Sequence, residues 1–214
     1  MTVNKNDFIE LEFTGKITGT DEIFDTNVEP VAKEAKLDLK DLKPFILSVG
    51  HEMLPRGLDE DLDGKEEGKD YKVDIKPVDA FGARNKDLIR MVPTKLFHAQ
   101  KINPERGMQL TLDNRLVKIL SSSGGRTLVD FNNPLAGKNI TYSYKILKKV
   151  TDDKIKVEAV QDFLFKKIFD FEISGKTVTF KVKSDEANFI KMFKEKLEKI
   201  LNMKVEISES KDSK

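Results

Sequence analysis

Four phenylalanines at the ends of short alternating segments, each close to a turn, constrain this chain more than any other feature of its sequence. They are Phe13, Phe24, Phe45 and Phe81. Residues 8–15 alternate apolar and polar side chains, which is the period of a half-buried strand. Gly15, Gly50 and Gly82 lie nearby and let the chain turn. The pattern predicts an antiparallel sheet that gathers aromatic rings at its strand ends.

Composition is that of a folded globular protein. The chain has 214 residues, more than one small domain needs, so we expect two or three modules. Charged residues make up 35% and hydrophobic residues 38%, which disfavours disorder. The 38 Lys and Arg residues nearly balance the 37 Asp and Glu residues. No net field therefore attracts nucleic acid or an anionic membrane, and neither is expected as a partner.

Several functional classes are also disfavoured by what the sequence lacks. It has no cysteine, so neither disulfides nor a thiol nucleophile are expected. No apolar run approaches the roughly 18 residues of a membrane span, and residues 1–5 lead into a strand without a signal-peptide core. We therefore expect a cytoplasmic protein. His51 and His98 are isolated, so neither a metal site nor a cofactor is predicted.

Short elements follow one another through the first 85 residues. Strands are predicted at residues 8–15, 23–25, 45–50 and 71–75. A short helix is predicted over residues 55–62, with Gly64 as its terminator. Residues 28–43 form a charged insertion with a helical period at Val31, Ala35 and Leu39. Together these elements predict a sheet that carries one short helix.

The order and spacing of these residues resemble the FKBP class of peptidyl-prolyl isomerases. The motifs are Phe13-Thr14-Gly15-Lys16, Phe24-Asp25-Thr26, Lys43-Pro44-Phe45, Val49-Gly50, Arg56-Gly57-Leu58 and Ala80-Phe81-Gly82. The resemblance covers residues 1–85 and resumes at residues 132–150. It implies an α+β protein in which an FKBP-like antiparallel sheet curves around the short helix.

The resemblance also implies a pocket for an X-Pro amide. Its catalytic set is Phe13, Phe24, Asp25, Phe45, Phe81 and Tyr142, and its substrate-binding residues are Leu54, Pro55 and Leu58. Rotation of the amide meets a barrier of roughly 18–20 kcal/mol, and no nucleophile is required. An apolar cradle favours the twisted amide because the planar form carries the greater charge separation. Asp25 is expected to face the prolyl amide.

Four pocket positions depart from the common family pattern. Phe13 and Phe81 stand where tyrosines are usual, and Leu58 stands where a tryptophan is frequent. Pro55 occupies a position whose backbone N–H meets ligand carbonyls in the family, and proline has no such donor. The lost hydroxyls remove hydrogen-bond partners, so binding of macrolide-type inhibitors is in question.

A module is predicted within residues 86–131, because the chain returns to its last sheet strand only at residues 140–147. Strand-like runs at 108–112, 116–120 and 127–131 predict a small β domain. The return segment 129–138 is similar to the SlyD-like branch, whose insert-in-flap domain grips unfolded chains. On that basis Met91, Val92, Phe97 and Met108 are assigned to client binding. The alternative is that these side chains fill a small core.

Residues 151–214 are predicted to form a separate α-β-β-α-β domain. Its first segment fits a helix with Phe163 on the apolar face, although residues 155–159 also alternate as a strand does. A hairpin turns at Gly175, and one long helix follows over residues 184–201. A core this small is marginal, so the domain is expected to pack on the isomerase domain or on a second copy in a homodimer. This added domain resembles the long archaeal FKBPs.

The leading functional hypothesis is a peptidyl-prolyl cis-trans isomerase and folding chaperone. It would act on X-Pro bonds of unfolded or proline-containing client polypeptides, which the insert holds near the pocket. The alternative is a binding-only chaperone or scaffold whose pocket has lost catalysis, suggested by the departures from the family pattern.

Overall fold

A computed structural model describes residues 1–37, 42–112 and 115–209. The chain forms two compact units, one made of Met1–Asp74 with Thr141–Lys214 and the other of Ile75–Ile140. The mixed α+β class predicted from the sequence is confirmed, with several helices and three sheets. Leu39, part of the helical period predicted within residues 28–43, lies outside the described residues.

The first unit contains a five-stranded sheet. Numbered along the chain, its strands are β1 (Phe8–Ile17), β2 (Ile23–Thr26), β3 (Phe45–Ser48), β4 (Asp70–Ile75) and β9 (Ile140–Lys149). Their order is β2-β1-β9-β4, and β3 pairs with β1 beside β2. Strand β1 pairs antiparallel with β3 through its first half and with β2 through its second half. Phe13 and Phe45 therefore come to the same region of the sheet from distant parts of the sequence.

Two short helices accompany this sheet, α1 (Glu29–Glu34) and α2 (Arg56–Asp61). Leu58 of α2 and Leu62 just after it are fully buried, as are Ile9 and Leu11 of β1, so the helix and the sheet both contribute buried apolar side chains. The buried Asp59 accepts hydrogen bonds from the Gly50 and Glu52 N–H groups, each at 2.8 Å. These bonds tie the loop after β3 to the helix.

Polar side chains mark the point where the chain leaves this sheet and returns to it. The Thr141 hydroxyl donates to the Asp74 carboxylate at 2.5 Å. The Thr18 hydroxyl lies 3.0 Å from that of Thr141. Three strand ends are thus joined at one place, because Thr18 follows β1, Asp74 belongs to β4 and Thr141 to β9.

The second unit is built on a four-stranded antiparallel sheet. Its elements are β5 (Ile89–Pro93), α3 (Thr94–Ala99), β6 (Gln109–Leu112), β7 (Arg115–Ser123) and β8 (Arg126–Asp130). The strand order is β5-β8-β7-β6, and we call these four strands the insert sheet. Phe97, Val117, Ile119 and Val129 form its small core. Strands β6 to β8 match the three predicted runs, whereas β5 and α3 were not predicted.

The outgoing and returning chains of this unit are joined by a polar network. The Arg84 guanidinium donates to the Asp130 carboxylate at 2.5 Å, and the Asn132 amide donates to the same group at 2.7 Å. The Asn85 N–H in turn donates to the Asn132 side-chain oxygen at 2.8 Å. These hydrogen bonds fix the outgoing and returning chains, which we call the neck of the second unit, to each other.

The C-terminal segment carries three helices and a three-stranded sheet. They are α4 (Asp153–Phe165), β10 (Phe171–Ser174), β11 (Thr177–Val182), α5 (Ser184–Met192), α6 (Lys194–Leu201) and β12 (Lys204–Glu209). Residues 155–159 are helical, and the Asp152 carboxylate caps α4 by accepting from the Lys154 N–H at 2.8 Å. With 13 residues α4 is the longest described helix, and no described helix is long and apolar enough to cross a membrane.

The prediction of one long helix over residues 184–201 was wrong, because α5 and α6 are separate helices that meet at Phe193. The Phe193 N–H bonds to the Ile190 carbonyl three residues back, which tightens the end of α5. Its ring packs at 5.3 Å from the rings of both Phe165 and Phe189. We attribute the break to this aromatic contact, which holds Phe193 in a non-helical conformation.

Candidate functional site

Three aromatic rings from three strands meet in the first unit, and we call them the ring cluster. The Tyr142 ring lies edge-on to Phe13 at 5.8 Å between centroids and to Phe24 at 5.7 Å. Edge-to-face contacts of this kind add stability beyond the area they bury. Phe13 is 7% exposed and Tyr142 2% exposed, whereas Phe24 is only half-buried. Phe24 therefore forms the most accessible wall of the cluster.

Gly15 makes the room in which these rings meet. A Cβ atom at this position would lie 2.5 Å from Cζ of Phe24 and 2.9 Å from Cε1 of Tyr142. No side chain can occupy that space unless a ring moves. The register between β1 and β2 also shifts between Gly15 and Lys16, which bends β1 beside the cluster. The motif Phe13-Thr14-Gly15 thus requires glycine at its last position, because two aromatic rings approach its backbone closely.

Asp25 lies beside the cluster, paired in register with Gly15. The residue keeps an exposed face, yet burial of its carboxylate raises its pKa, and a backbone hydrogen bond at Thr26 offsets only part of this effect. Burial, and then the negative charge of Asp25, raise the pKa of the Tyr142 hydroxyl. The Asp25 carboxylate and the Tyr142 hydroxyl therefore influence each other at the edge of the rings, where Asp25 remains accessible to solvent.

Two polar residues to which the sequence analysis assigned no role hold this arrangement. The Phe13 N–H donates to the Asn27 side-chain oxygen at 2.8 Å, and the Asn27 amide donates to the carbonyls of Leu11 at 2.8 Å and Lys43 at 3.2 Å. The Thr26 hydroxyl donates to the Phe13 carbonyl at 2.9 Å. Both residues directly follow Asp25, and Asn27 bridges β1 to the segment before Phe45. The side chains of Thr26 and Asn27 thereby hold the backbone around Phe13 and position the cluster.

Phe45 joins this face of the sheet but takes its aromatic partner from the C-terminal segment. Its register partner on β1 is Leu11, so its side chain projects on the same face as Leu11 and Phe13. Its ring lies 6.4 Å from the ring of Phe163 on α4. Lys43 lies 3.7 Å from Asp162 on the same helix. Helix α4 thus supports the Phe45 wall, a long-range contact that no local pattern signals.

The predicted substrate-binding residues around α2 differ in accessibility. Leu54 and Pro55 are half-buried, and the Pro55 carbonyl accepts from the Leu58 and Asp59 N–H groups at the start of the helix. Leu58 is fully buried and supports the core beneath the surface. Leu54 and Pro55 are therefore the two of these three residues that a ligand can touch.

Comparison with known proteins identifies the region that carries Phe13 and Phe24 of the ring cluster. Residues 1–98 match the family described as FKBP-type peptidyl-prolyl cis-trans isomerase. This region of the chain is similar to FKBP-type isomerases. Residues 90–135 match a second family described as FKBP26, IF domain, which supports an insert-in-flap module.

Individual relatives agree with this assignment. A short-type peptidyl-prolyl cis-trans isomerase of Methanocaldococcus jannaschii is 29% identical over 146 residues, 67% of this chain and 92% of that protein. SlyD of Vibrio cholerae is 34% identical over 112 residues, 50% of this chain and 55% of that protein. SlyD of Treponema pallidum is 33% identical over 112 residues, 50% of this chain and 63% of that protein. The predicted resemblance to FKBP-type and SlyD-like proteins is confirmed, although the chain covers less than two thirds of these two SlyD proteins.

The remaining predicted site residues lie in the second unit. Phe81 is half-buried and follows a short 3₁₀ helix at Pro77–Asp79. Met91 is 64% exposed on β5, whereas Val92 and Met108 pack against the small core of the insert sheet. Phe97 is 2% exposed and belongs to that core.

The assignment of Phe97 to client contact is therefore corrected to a core role, because the unpredicted helix α3 turns its ring inward. Leu96 beside it is 52% exposed, and Leu116 on β7 is 46% exposed. These two residues and Met91 are the large exposed apolar side chains of α3 and the insert sheet among the described residues.

Proposed function

We propose that this chain catalyses cis-trans isomerisation of X-Pro bonds at the ring cluster, without a covalent step. The observation that carries the proposal is the convergence of Phe13, Phe24 and Tyr142 on one place beside Asp25, in a chain whose residues 1–98 match the FKBP-type family. Phe45, Phe81, Leu54 and Pro55 are proposed as further walls of the substrate site. An apolar enclosure of this kind is suited to an amide that loses charge separation as it twists.

The proposed chemistry requires only differential binding. The planar X-Pro amide has the larger dipole, so poorly solvated rings favour the twisted state relative to the planar one. Each 1.36 kcal/mol gained in this way gives about a tenfold increase in rate. Asp25 lies beside the rings, and partial burial raises the pKa of its carboxyl group. We propose that its carboxylate interacts with the dipole of the rotating amide and thereby orients the prolyl ring.

A protease-coupled assay on a short X-Pro peptide tests this proposal. The chain should accelerate isomerisation over the uncatalysed rate, and Asp25→Ala should lower kcat/KM by about tenfold, or about 1.4 kcal/mol. Asp21→Ala, an exposed aspartate in the turn before β2, is the matched control and should leave kcat/KM unchanged. No acceleration by the wild-type chain would rule out catalysis.

We further propose that residues 86–131 are a holding module for client chains, inserted between residues 1–85 and 132–150 of the isomerase domain. Its exposed Met91, Leu96 and Leu116 support this role, because flexible apolar side chains suit promiscuous contacts. Holding a client close to the ring cluster raises the local concentration of its prolines. The clients are proposed to be unfolded or proline-containing polypeptides.

Excision of the module separates holding from chemistry. Replacing residues 86–131 with a short linker should sharply slow catalysis of a proline-limited refolding protein while sparing the short peptide. Equal losses on both substrates would contradict the tethering proposal.

A binding-only chaperone is the second candidate, and Pro55 favours it. At the N-terminus of α2 this residue has no N–H for a ligand, and its carbonyl already accepts from the Leu58 and Asp59 N–H groups. Phe13 and Tyr142 also leave little ring area accessible. The peptide assay decides between the candidates, since this second function predicts suppression of client aggregation without acceleration of isomerisation.

We also propose that the chain forms a homodimer through its C-terminal domain, which is proposed to comprise residues 151–214. Phe189 and Met192 on α5 support it, since they are 42% and 82% exposed. Sedimentation velocity of the full chain and of Met192→Lys tests this proposal. A monomer at all concentrations would exclude the dimer.

A further inference from the structure

Strand β10 is an open edge of the C-terminal sheet, whose order is β10-β11-β12. Phe171 is paired in register with Phe180 on β11. The Lys181 N–H donates to the Asp170 carbonyl at 2.8 Å, so the hydrogen-bonded pairs fall at every second residue starting from Asp170. The backbone groups of Phe171 and Ile173 therefore point away from β11, toward the open side.

The same edge is closed at one end and open along the rest. The Phe169 N–H is satisfied by the side-chain oxygen of Gln161, at 2.8 Å, and Gln161 is fully buried. Within the described ranges, the outward N–H and C=O groups of Phe171 and Ile173 have no such partner. An extended peptide is the partner that satisfies both residues at once, as in recognition by strand addition.

A concavity lies along this open edge. Its volume is about 510 Å³. It is lined by Lys154 and Glu158 of α4, by Ile168, and by Phe171 and Ile173 of β10, among others. Ile168 is 49% exposed, so an apolar surface is already available beside the free backbone groups. A strand added to β10 would place every second side chain over this concavity.

We propose that this edge binds a short extended segment of a client polypeptide, with apolar side chains at alternate positions. The choice of occupant rests on the proposed function, because an enzyme for X-Pro bonds of unfolded chains meets such segments. Among the lining residues, Lys154 is opposed by Glu158 and Asp170, which leaves an excess of negative charge. The edge therefore favours neutral or basic segments over acidic ones.

The size of the edge argues for a peptide rather than for a second copy of the chain. Strand β10 has four residues, which span about 13 Å. Pairing over that length buries far less than the roughly 800 Å² per partner of a stable interface. A weak, reversible contact with a client segment fits this size.

Fluorescence anisotropy with a labelled, proline-free peptide of alternating Val and Thr, flanked by lysines, tests the proposal on the full chain. Ile168→Lys should weaken binding by about tenfold, because it places a charge in the apolar floor. Ile173→Pro should also weaken it, since proline removes an outward N–H without removing a bond to β11. Ile155→Lys is the matched control, because Ile155 is 39% exposed on α4 and does not line the concavity.

Equal affinities of Ile168→Lys and Ile155→Lys would overturn the proposal, as would no binding by the wild-type chain. A concentration-dependent dimer that Ile173→Pro abolishes would identify a second copy as the occupant and also overturn it. Circular dichroism of each variant shows whether the sheet is retained. The probe lacks proline, so the X-Pro peptide assay on the same variants is an independent readout. Absence of edge binding by the wild-type chain together with intact isomerisation refutes this inference alone, and edge binding by a wild-type chain that does not isomerise the X-Pro peptide refutes the proposed catalysis alone.

Discussion

The ring cluster and the insert sheet use apolar side chains in opposite ways. In the cluster, Phe13 and Tyr142 are 7% and 2% exposed and are fixed by contacts from three strands. On the insert sheet and its helix, Met91 and Leu96 are 64% and 52% exposed. The rings of the cluster are packed against one another, and the insert sheet offers separate apolar side chains around a small core.

This difference indicates two kinds of recognition within one chain. Rings held at fixed distances can distinguish the twisted from the planar state of one bond, because a small displacement alters every contact. Exposed, flexible side chains such as Met91 cannot discriminate in that way, but they can adapt to many apolar segments. Changes in the cluster should therefore affect chemistry, and changes on the insert sheet should affect holding.

The strongest test of this separation is Gly15→Val. The new side chain must displace Phe24 or Tyr142, since a Cβ alone comes within 2.5 Å of the Phe24 ring. We expect kcat/KM on a short X-Pro peptide to fall roughly a hundredfold, or about 2.7 kcal/mol, with holding of unfolded chains unchanged. The protease-coupled assay measures the first quantity and an aggregation assay the second.

A double mutant shows whether Gly15 acts through the neighbouring ring. The effect of Gly15→Val should shrink in a Phe24→Ala background, because the clashing ring is absent. Fully additive losses would contradict this account.

Asn27→Ala should have the next largest effect. The substitution leaves the Phe13 N–H without its partner and unties Leu11 from Lys43. We expect the free energy of unfolding to fall by about 2 kcal/mol and kcat/KM to fall by about tenfold. Urea denaturation measures the first and the peptide assay the second. Asn139→Ala, at an exposed asparagine, is the control. An equal loss in that variant would contradict the positioning role of Asn27.

The double variant Met91→Ser, Leu96→Ser examines the other side of the comparison. Loss of two exposed apolar side chains should weaken suppression of client aggregation several-fold, while isomerisation of a short peptide stays unchanged. Val78→Ser, which is 74% exposed in the same unit but outside the insert sheet, serves as the control. A parallel fall in peptide isomerisation would mean that the two functions are not separate.

The smallest expected effect concerns the neck of the second unit. Burial tends to raise the pKa of Asp130, but hydrogen bonds from Asn132 and the charge of Arg84 outweigh it and hold that pKa below its ordinary value. The contact therefore stabilises the folded state at pH values above the ordinary aspartate pKa of roughly 3.9. This contribution is lost as the pH falls through the lower, folded pKa.

Asp130→Asn should slightly destabilise the second unit at neutral pH and flatten its stability in the acid range. Amide hydrogen exchange of β5 and β8 measures this local effect. Asp87→Asn, an exposed aspartate before β5, is the control. An unchanged acid dependence in Asp130→Asn would show that the neck does not titrate with this group.

Elements with strong alternation were predictable from the sequence, and long-range contacts were not. Strand β1 and the strands around Val117 and Val129 follow from the period of two. The meeting of Phe13, Phe24 and Tyr142 followed from a family motif, because nothing local links Tyr142 to residues more than a hundred positions earlier. The contact of Phe45 with Phe163 had no sequence signal at all.

The missed and corrected residues share a physical cause. Threonine and asparagine are common in ordinary turns. The sequence therefore could not show that the side chains of Thr26 and Asn27 form hydrogen bonds with β1 rather than local ones. Phe97 was assigned to the surface because helix α3 was not foreseen, and the helix decides which side chain points inward. The break at Phe193 depends on rings from α4 and α5. Tertiary packing overrode the helical period there.

Because Asp74 and Thr141 join two strand ends, the five-stranded sheet of the first unit can accept an inserted domain at this position. Strands β4 and β9 are neighbours, and the hydrogen bond of 2.5 Å between these residues closes the sheet regardless of what the chain does in between. The segment between these two residues can be exchanged or enlarged during evolution without loosening the strands that carry the rings. A protein engineer can use the same position to graft a different binding domain.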